Sequence, residues 1–186
     1  MKKAVFLDRD GVINRKAPEG QYVTRWEEME FLPGAKEAIR SLNQAGFLVI
    51  VVTNQRCVAK GLISTDELDS IHARMRSEFK AAGATIDAIY YCPHEFVPPC
   101  ACRKPEPGML LEAARTHDVD MAASWMIGDS DHDVQAGQNA GCHTALIVDE
   151  KSTDGGADVY RSSLLDAIQQ ILQVHSFPSQ GRLKTW

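Results

Sequence analysis

The stretch Val5-Phe6-Leu7-Asp8-Arg9-Asp10-Gly11-Val12-Ile13-Asn14 decides how the chain is read. Its short apolar run suits a buried strand, and it stops at two acids two residues apart, then a glycine. In a parallel α/β sheet, ligands sit just beyond the carboxyl ends of the strands. Asp8 is therefore expected to emerge there with its carboxylate aimed into a crevice, and Asp10 one step further along. Gly11 lets the chain turn sharply afterwards. Two carboxylates this close repel each other unless a cation lies between them or one holds a proton. Hard oxygen ligands with room for water suit Mg²⁺. A plain surface turn would carry the same letters, so the rest of the chain has to choose.

Outward from that stretch the sequence alternates strands and helices. Residues 14–32 have no clear period and read as a long loop, in which Trp26, Met29 and Phe31 fold back onto the body or wall a pocket. Pro33-Gly34 opens a helix to about Ala45, with Ala35, Ala38, Ile39 and Leu42 on one face and Gly46 at its end. Phe47 to Val52 is a second apolar strand ending in Thr53-Asn54-Gln55. Ser64 and Glu67 make a capping box for a helix to about Ala82, stopped by Gly83. Ile86 to Tyr91 is a third strand. Residues 92–107 hold five prolines and three cysteines and read as irregular.

Gly108 to His117 is a helix, and Trp125-Met126-Ile127 a short strand before Gly128-Asp129. Asp131 to Ala140 is a further helix, closed by Gly141, and Thr144 to Val148 a fifth strand. Ser163 with Asp166 starts a last amphipathic helix striped by Leu164, Leu165, Ile168, Ile171 and Leu172. The expected fold is α/β, a Rossmann-like, mostly parallel sheet with helices on both faces. Residues 1–176 form one domain in this reading, and 177–186 a frayed C-terminal tail.

Composition narrows the class. At 186 residues the chain makes about one domain, able to bury roughly 70% of its unfolded surface. A formal charge of −5 and a pI near 5.7 speak against nucleic-acid and anionic-membrane partners, which need a basic face. Met1-Lys2-Lys3 precedes too few apolar residues for a signal peptide, and no run approaches a membrane span. Five cysteines are an odd number, which argues against a disulfide framework. The expectation is a cytoplasmic protein, monomeric by default.

Four loop-end positions then line up: Asp8-x-Asp10, Thr53, Lys104, and Gly128-Asp129-x-x-x-Asp133. The set resembles the motif series of the haloacid dehalogenase superfamily of phosphatases, in its capless form. Phosphate monoester hydrolysis is so slow uncatalysed that an enzyme must lower the barrier by ~20 kcal/mol, mostly through charge neutralisation and positioning. The resemblance implies that Asp8 is the nucleophile and forms an aspartyl-phosphate. It makes Asp10 the general acid, then base. It puts Mg²⁺ on Asp8, the backbone carbonyl of Asp10, and Asp129, with Asp133 behind them. Thr53 and Lys104 would grip the phosphoryl oxygens.

A second pattern stands apart from the first. Cys92-Pro93-His94 and Cys100-Ala101-Cys102 supply three thiolates and an imidazole, a Cys₃His set that suits tetrahedral, structural Zn²⁺. Arg103 and Lys104 follow the last ligand directly. With Asp8-Arg9-Asp10-Gly11, Thr53-Asn54-Gln55, Arg103-Lys104-Pro105-x-Pro107-Gly108-Met109 and Ala59-x-Gly61, this loop resembles the D-glycero-D-manno-heptose-1,7-bisphosphate 7-phosphatases of the ADP-heptose route to lipopolysaccharide core. That likeness implies a small sugar bisphosphate as substrate and a substrate-binding role for Arg103 and Asn54. The related histidinol-phosphate phosphatases share the Asp-Arg-Asp-Gly start and the zinc-loop spacing and remain the enzymatic alternative, with a DNA 3′-phosphatase more distant. The alternative of another class is a zinc-stabilised phosphate-binding module without catalysis, against which the paired Asp8 and Asp10 count.

Three positions depart from the heptose pattern. Arg56-Cys57 follows Thr-Asn-Gln where relatives have Ser-Gly, adding a cation and a β-carbon, and Ser130 stands where several have Lys. Cys57 and Cys142 read as small hydrophobes. His72, His117, His143 and His175 lack partners at ligand spacing and read as surface or packing residues, and His132 as solvent-exposed beside Asp129.

Overall fold

A computed structural model describes residues 1–148 and 156–176. Among the described residues six parallel strands form one sheet: β1 (Ala4–Leu7), β2 (Leu48–Asn54), β3 (Ala88–Cys92), β4 (Trp125–Gly128), β5 (His143–Ile147) and β6 (Val159–Arg161), in the order β3-β2-β1-β4-β5-β6. Between them run α1 (Ala35–Gln44), α2 (Thr65–Ala81), α3 (Gly108–His117) and α4 (Asp131–Ala140), and α5 (Leu164–Ser176) follows β6. The expected α/β sheet is therefore found, with helices on both faces.

Period-2 alternation in β1 assigns its residues to the two cores. Val5 and Leu7 pack with α1, α5 and the second half of α2, in a cluster with Ile39, Leu42, Met75, Phe79 and Ile168. Ala4 and Phe6 face the other way, against Met109, Leu110 and Ala113 of α3 and Ala136 and Ala140 of α4. Cys142 belongs to this second core, and Cys57 to a third cluster with Ile63, Leu68 and Ile71. The stripe of α5 is buried at Leu164, Ile168 and Ile171, with Leu165 and Leu172 at its margin. Because strand order reverses between β1 and β4, the end of β1 lies at the switch point where a crevice opens.

The local signals are realised by their expected chemistry. Ser64 Oγ accepts from Glu67 N at 3.2 Å and Glu67 Oε2 accepts from Ser64 N at 2.8 Å, which caps α2. Ser163 Oγ accepts from Asp166 N in the same way ahead of α5. In the long loop, Trp26 and Phe31 meet edge-on with centroids 6.0 Å apart, and Phe31 meets Phe79 of α2 at 5.0 Å. Its earlier part, residues 16–23, walls the crevice, so the loop does both of the things expected of it. Strand β6 is a finding the sequence did not signal: three residues on a sheet edge are too short to show a period. The tail 177–186 lies outside the described residues, as does the side chain of His175.

Leu42 is fully buried between α1 and the sheet, far from the strand ends. Leu42→Ala is expected to cost about 3 kcal/mol of unfolding free energy. A urea titration followed by circular dichroism checks this.

Candidate functional site

The crevice at the β1–β4 switch point has a volume of about 340 Å³ and is lined by residues from the loops that follow β1, β2, β3 and β4, Asp8, Asp10, Lys16, Tyr22, Thr53, Arg103, Lys104, Asp129 and His132 among them. Asp8 leaves the end of β1 with its backbone N–H donating to Ile127 O at 2.9 Å. The chain then folds over itself, Ile13 N donating to Arg9 O and Gly11 N to Asn14 O. Gly11 sits at φ +88°, and a β-carbon there would collide with Asp129 Oδ2. Only glycine allows both the left-handed turn and that close approach.

Lys104 is the centre of the site's charge balance. It is buried, and its ammonium reaches Asp8 Oδ1 at 3.0 Å, Asp133 Oδ1 at 2.5 Å and Val52 O at 2.8 Å. Three N–H groups thus meet three acceptors. Burial alone would lower the lysine pKa, but Asp8 and Asp133 outweigh it and raise the value above the usual lysine range. Burial pushes the Asp8 carboxyl up to about 7, against the pull of Lys104 and with the help of Asp133 and Asp10.

Asp133 is held from behind by Ser130, whose Oγ donates to Oδ2 at 2.6 Å and whose N–H donates at 3.1 Å. The hydroxyl at position 130 therefore caps α4 and fixes Asp133. Asp129 faces the crevice and pairs with Lys16 Nζ at 2.6 Å, a cation from the long loop that the sequence reading passed over. The carboxylates of Asp8, Asp129 and Asp133 offer oxygens within 4.8 Å of one another. This is an all-oxygen donor set of the kind hard divalent cations take.

Asp10 has the opposite environment to Asp8. Arg9 grips it with Nη2 at 3.0 Å and 2.9 Å from the two oxygens, Asn14 Nδ2 donates to Oδ1 at 2.9 Å, and Gln55 Nε2 donates to Oδ2 at 2.9 Å. Burial opposes ionisation, but Arg9 and these donors prevail and hold the carboxyl below its ordinary value. Gln55 Nε2 also donates to Thr53 Oγ1 at 2.9 Å. Gln55 can only donate there, so the Thr53 hydroxyl keeps its own proton for another acceptor.

Behind Asp10, Arg9 is wholly buried, and its Nη1 donates to Nε2 of His72 on α2 at 3.1 Å. His72 was expected to be a surface or packing residue. It is buried, and it also has a specific polar partner. The sequence gives neither Arg9 nor His72 a role at the site, although an arginine between two acids at a strand end has to be paired if buried.

The second pattern also closes in space. The Cys92 Sγ–His94 Nδ1, Cys92 Sγ–Cys100 Sγ, His94 Nδ1–Cys102 Sγ and Cys102 Sγ–Cys100 Sγ separations are 3.6, 3.6, 3.2 and 3.5 Å. A tetrahedral zinc with S and N ligands at about 2.3 and 2.0 Å has edges of about 3.5–3.8 Å. Three of these four edges match such a site, the His94–Cys102 edge is shorter, and all four donors lie within 4.8 Å of one another. Asn54 ties this loop to β2, exchanging hydrogen bonds of 3.1 Å with the backbone N–H and carbonyl of Lys104.

Arg103 and Arg56 both pack on Phe96, with Cζ 4.3 and 4.4 Å from the ring centroid, and Arg56 Nε pairs with Glu95 at 2.7 Å. Arg103 lines the crevice, whereas Arg56 is engaged outside it. His132 is exposed at the rim. His117 meets the Tyr90 hydroxyl at 3.3 Å, and His143 lies 3.8 Å from Asp158.

The HAD-hydrolase-like family model matches residues 101–165. A D-glycero-beta-D-manno-heptose-1,7-bisphosphate 7-phosphatase of Rhodopseudomonas palustris is 44% identical over 75% of this chain and 80% of its own length. The chain belongs to this phosphatase family. A relative from Mycobacterium bovis named for the alpha anomer is 38% identical over 86% of each chain. A crystal structure of the D,D-heptose 1,7-bisphosphate phosphatase from B. bronchiseptica, complexed with magnesium and phosphate, superposes with a TM-score of 0.82 at 37% identity, covering 92% of this chain and 98% of that one. The haloacid dehalogenase fold and the family resemblance read from the motifs are thus found. Among the described residues no helix is long and apolar enough to cross a membrane.

Burial, with Arg9 adding to it, drives the His72 pKa down to about 3. The unfolded chain binds that proton from about pH 6.5 downward, so His72 makes stability fall as pH drops from there toward 3, by at most about 1.4 kcal/mol per pH unit. His72→Gln removes this component. Urea midpoints of the two proteins should therefore diverge less at pH 4.5 than at pH 7, or reverse in order.

Proposed function

We propose that the chain is a Mg²⁺-dependent phosphatase that removes the 7-phosphate of D-glycero-D-manno-heptose 1,7-bisphosphate through an aspartyl-phosphate on Asp8. The observation that carries this reading is the meeting of Asp8 and Lys104, 3.0 Å apart, at the sheet's switch point beside Asp129. It is supported by relatives named for that activity on both anomers. On this reading the product feeds ADP-heptose synthesis for lipopolysaccharide core.

The residues do the following. Asp8 attacks phosphorus, and the bond to the leaving oxygen breaks. Lys104 and the spare Thr53 proton stabilise the phosphoryl oxygens. Asp10 gives its proton to the leaving alkoxide, then takes one from the water that cleaves the aspartyl-phosphate. Its donor cage favours the ionised form, which suits the second half. The phosphate dianion, on arrival, raises its affinity for the proton needed in the first. Asp8 raised and Asp10 lowered is the reverse of what a nucleophile and a general acid need, so the cation on Asp8 and the phosphate dianion beside Asp10 would have to invert the two preferences.

The donor set fits Mg²⁺: hard oxygens only, on a site that already draws the ammonium of Lys16. Asp8, Asp129 and the Asp10 carbonyl would hold the ion, which supplies positive charge against the phosphate when bound. Arg103, at the mouth, is placed to meet the second phosphate, and Asn54 acts by fixing the backbone of Lys104. Residues 1–176 act as a single phosphatase domain with no separate cap, so selectivity rests on the loops.

Turnover of heptose 1,7-bisphosphate (both anomers) and histidinol phosphate, measured side by side, tests the reading. One heptose anomer is expected to be preferred by at least a hundredfold, and Asp8→Asn to abolish release of phosphate. Preference for histidinol phosphate overturns the substrate, and unchanged release by Asp8→Asn overturns the mechanism.

Zn²⁺ held by Cys92, His94, Cys100 and Cys102 is proposed to be structural, since four protein ligands leave no open position. Chelation of the zinc-loaded protein should lower Tm by several degrees and weaken substrate binding through Arg103 and Lys104. Differential scanning calorimetry with and without chelator, and after zinc is restored, checks this.

A further inference from the structure

Asp10 must aim one oxygen at the leaving group while four donors hold it from behind. The strongest of these is the Arg9 guanidinium, and Arg9 itself needs fixing. Its Nε and Nη2 are committed to Asp10, at 3.3 Å for Nε and 3.0 and 2.9 Å for Nη2. Its remaining corner, Nη1, reaches into the protein, where it donates to Nε2 of His72 at 3.1 Å. Arginine has no acceptor, so the imidazole must be neutral and must present its Nε2 lone pair. A protonated ring there would face a guanidinium with like charge. The low pKa of His72 agrees with this assignment.

The imidazole is in turn held by its surroundings. It sits on the buried face of α2 with Leu68, Ile71 and Met75, and its ring centroid lies 5.6 Å from that of Tyr91 on β3. A buried arginine costs much free energy unless every donor is used, and a planar fork transmits orientation from one end to the other. We propose that His72 is a positioning residue: it orients Arg9 from α2, and through Arg9 fixes the direction in which Asp10 delivers its proton. The inference rests on the phosphatase reading with Asp10 as general acid.

The test separates proton delivery from everything else the site does. A p-nitrophenolate leaving group needs no proton, whereas an alkoxide does, so loss of aim at Asp10 penalises poor leaving groups selectively. Wild type, His72→Leu and His72→Gln are compared by kcat/KM over p-nitrophenyl phosphate, phenyl phosphate and glycerol 3-phosphate. That constant covers the half-reaction up to aspartyl-phosphate formation. His72→Leu is expected to lose less than threefold on the nitrophenyl ester and thirtyfold or more on the alkyl ester. His72→Gln, whose amide oxygen accepts from Nη1, should restore the alkyl ester to within about threefold of wild type. His72→Asn ends one bond short of Nη1 and replaces the leucine variant should that one fail to fold.

An equal loss on all three esters, or no rescue by glutamine, overturns the inference and leaves the phosphatase reading standing. Absence of turnover by the wild type of these three esters and of heptose 1,7-bisphosphate alike overturns both.

Discussion

The site depends on one buried ammonium. Lys104 sits out of water with Asp8 in front, Asp133 behind and the Val52 carbonyl beneath it. A lysine in that position is tolerable only because its three protons find three acceptors, two of them charged. The same contacts then govern the acids. Asp8 is kept from a still higher pKa by Lys104, and Asp8 together with Asp133, the latter locked by Ser130, keeps the lysine protonated against its burial. Asp8, Lys104 and Asp133 are thus one electrostatic unit, assembled from the ends of β1, β2 and β4 and the loop before α3.

Around that unit the chain solves a problem of placement. Lys104 lies on an irregular stretch rich in proline, which has no strand or helix of its own to fix it. The Cys92, His94, Cys100 and Cys102 corner gathers the loop from one side, and Asn54 clasps the Lys104 backbone from the other. Phe96 gathers Arg56 and Arg103 on its ring, which holds Arg103 at the crevice mouth while Glu95 draws Arg56 away from it. The departure at Arg56 is therefore absorbed by the loop, and the β-carbon at Cys57 is buried in the small cluster next to it.

Two neighbouring acids, Asp8 and Asp10, illustrate how environment drives identical groups apart. Both are buried, so desolvation raises both. Asp10 is nevertheless driven the other way because a guanidinium and two amides converge on it. The acidic residues are two positions apart in sequence, but the partner comes from residue 104, itself shared with 133, in one case and from 14, 55 and, through Arg9, 72 in the other.

The sequence by itself determined the alternation of strands and helices, the strand-end positions of Asp8, Thr53 and Asp129, the place of Lys104 just ahead of a helix, and the thiol and imidazole spacing of the Cys₃His loop. These are carried by local periods, caps and short-range spacing, which a linear chain displays. Edge strand β6 was not legible because three residues carry no period. Lys16 on Asp129, Gln55 bridging Asp10 to Thr53, and His72 behind Arg9 were decided only by the tertiary structure. Each joins groups on separate elements, and hydrogen-bond partners reached through folding leave no local mark in the residues between them.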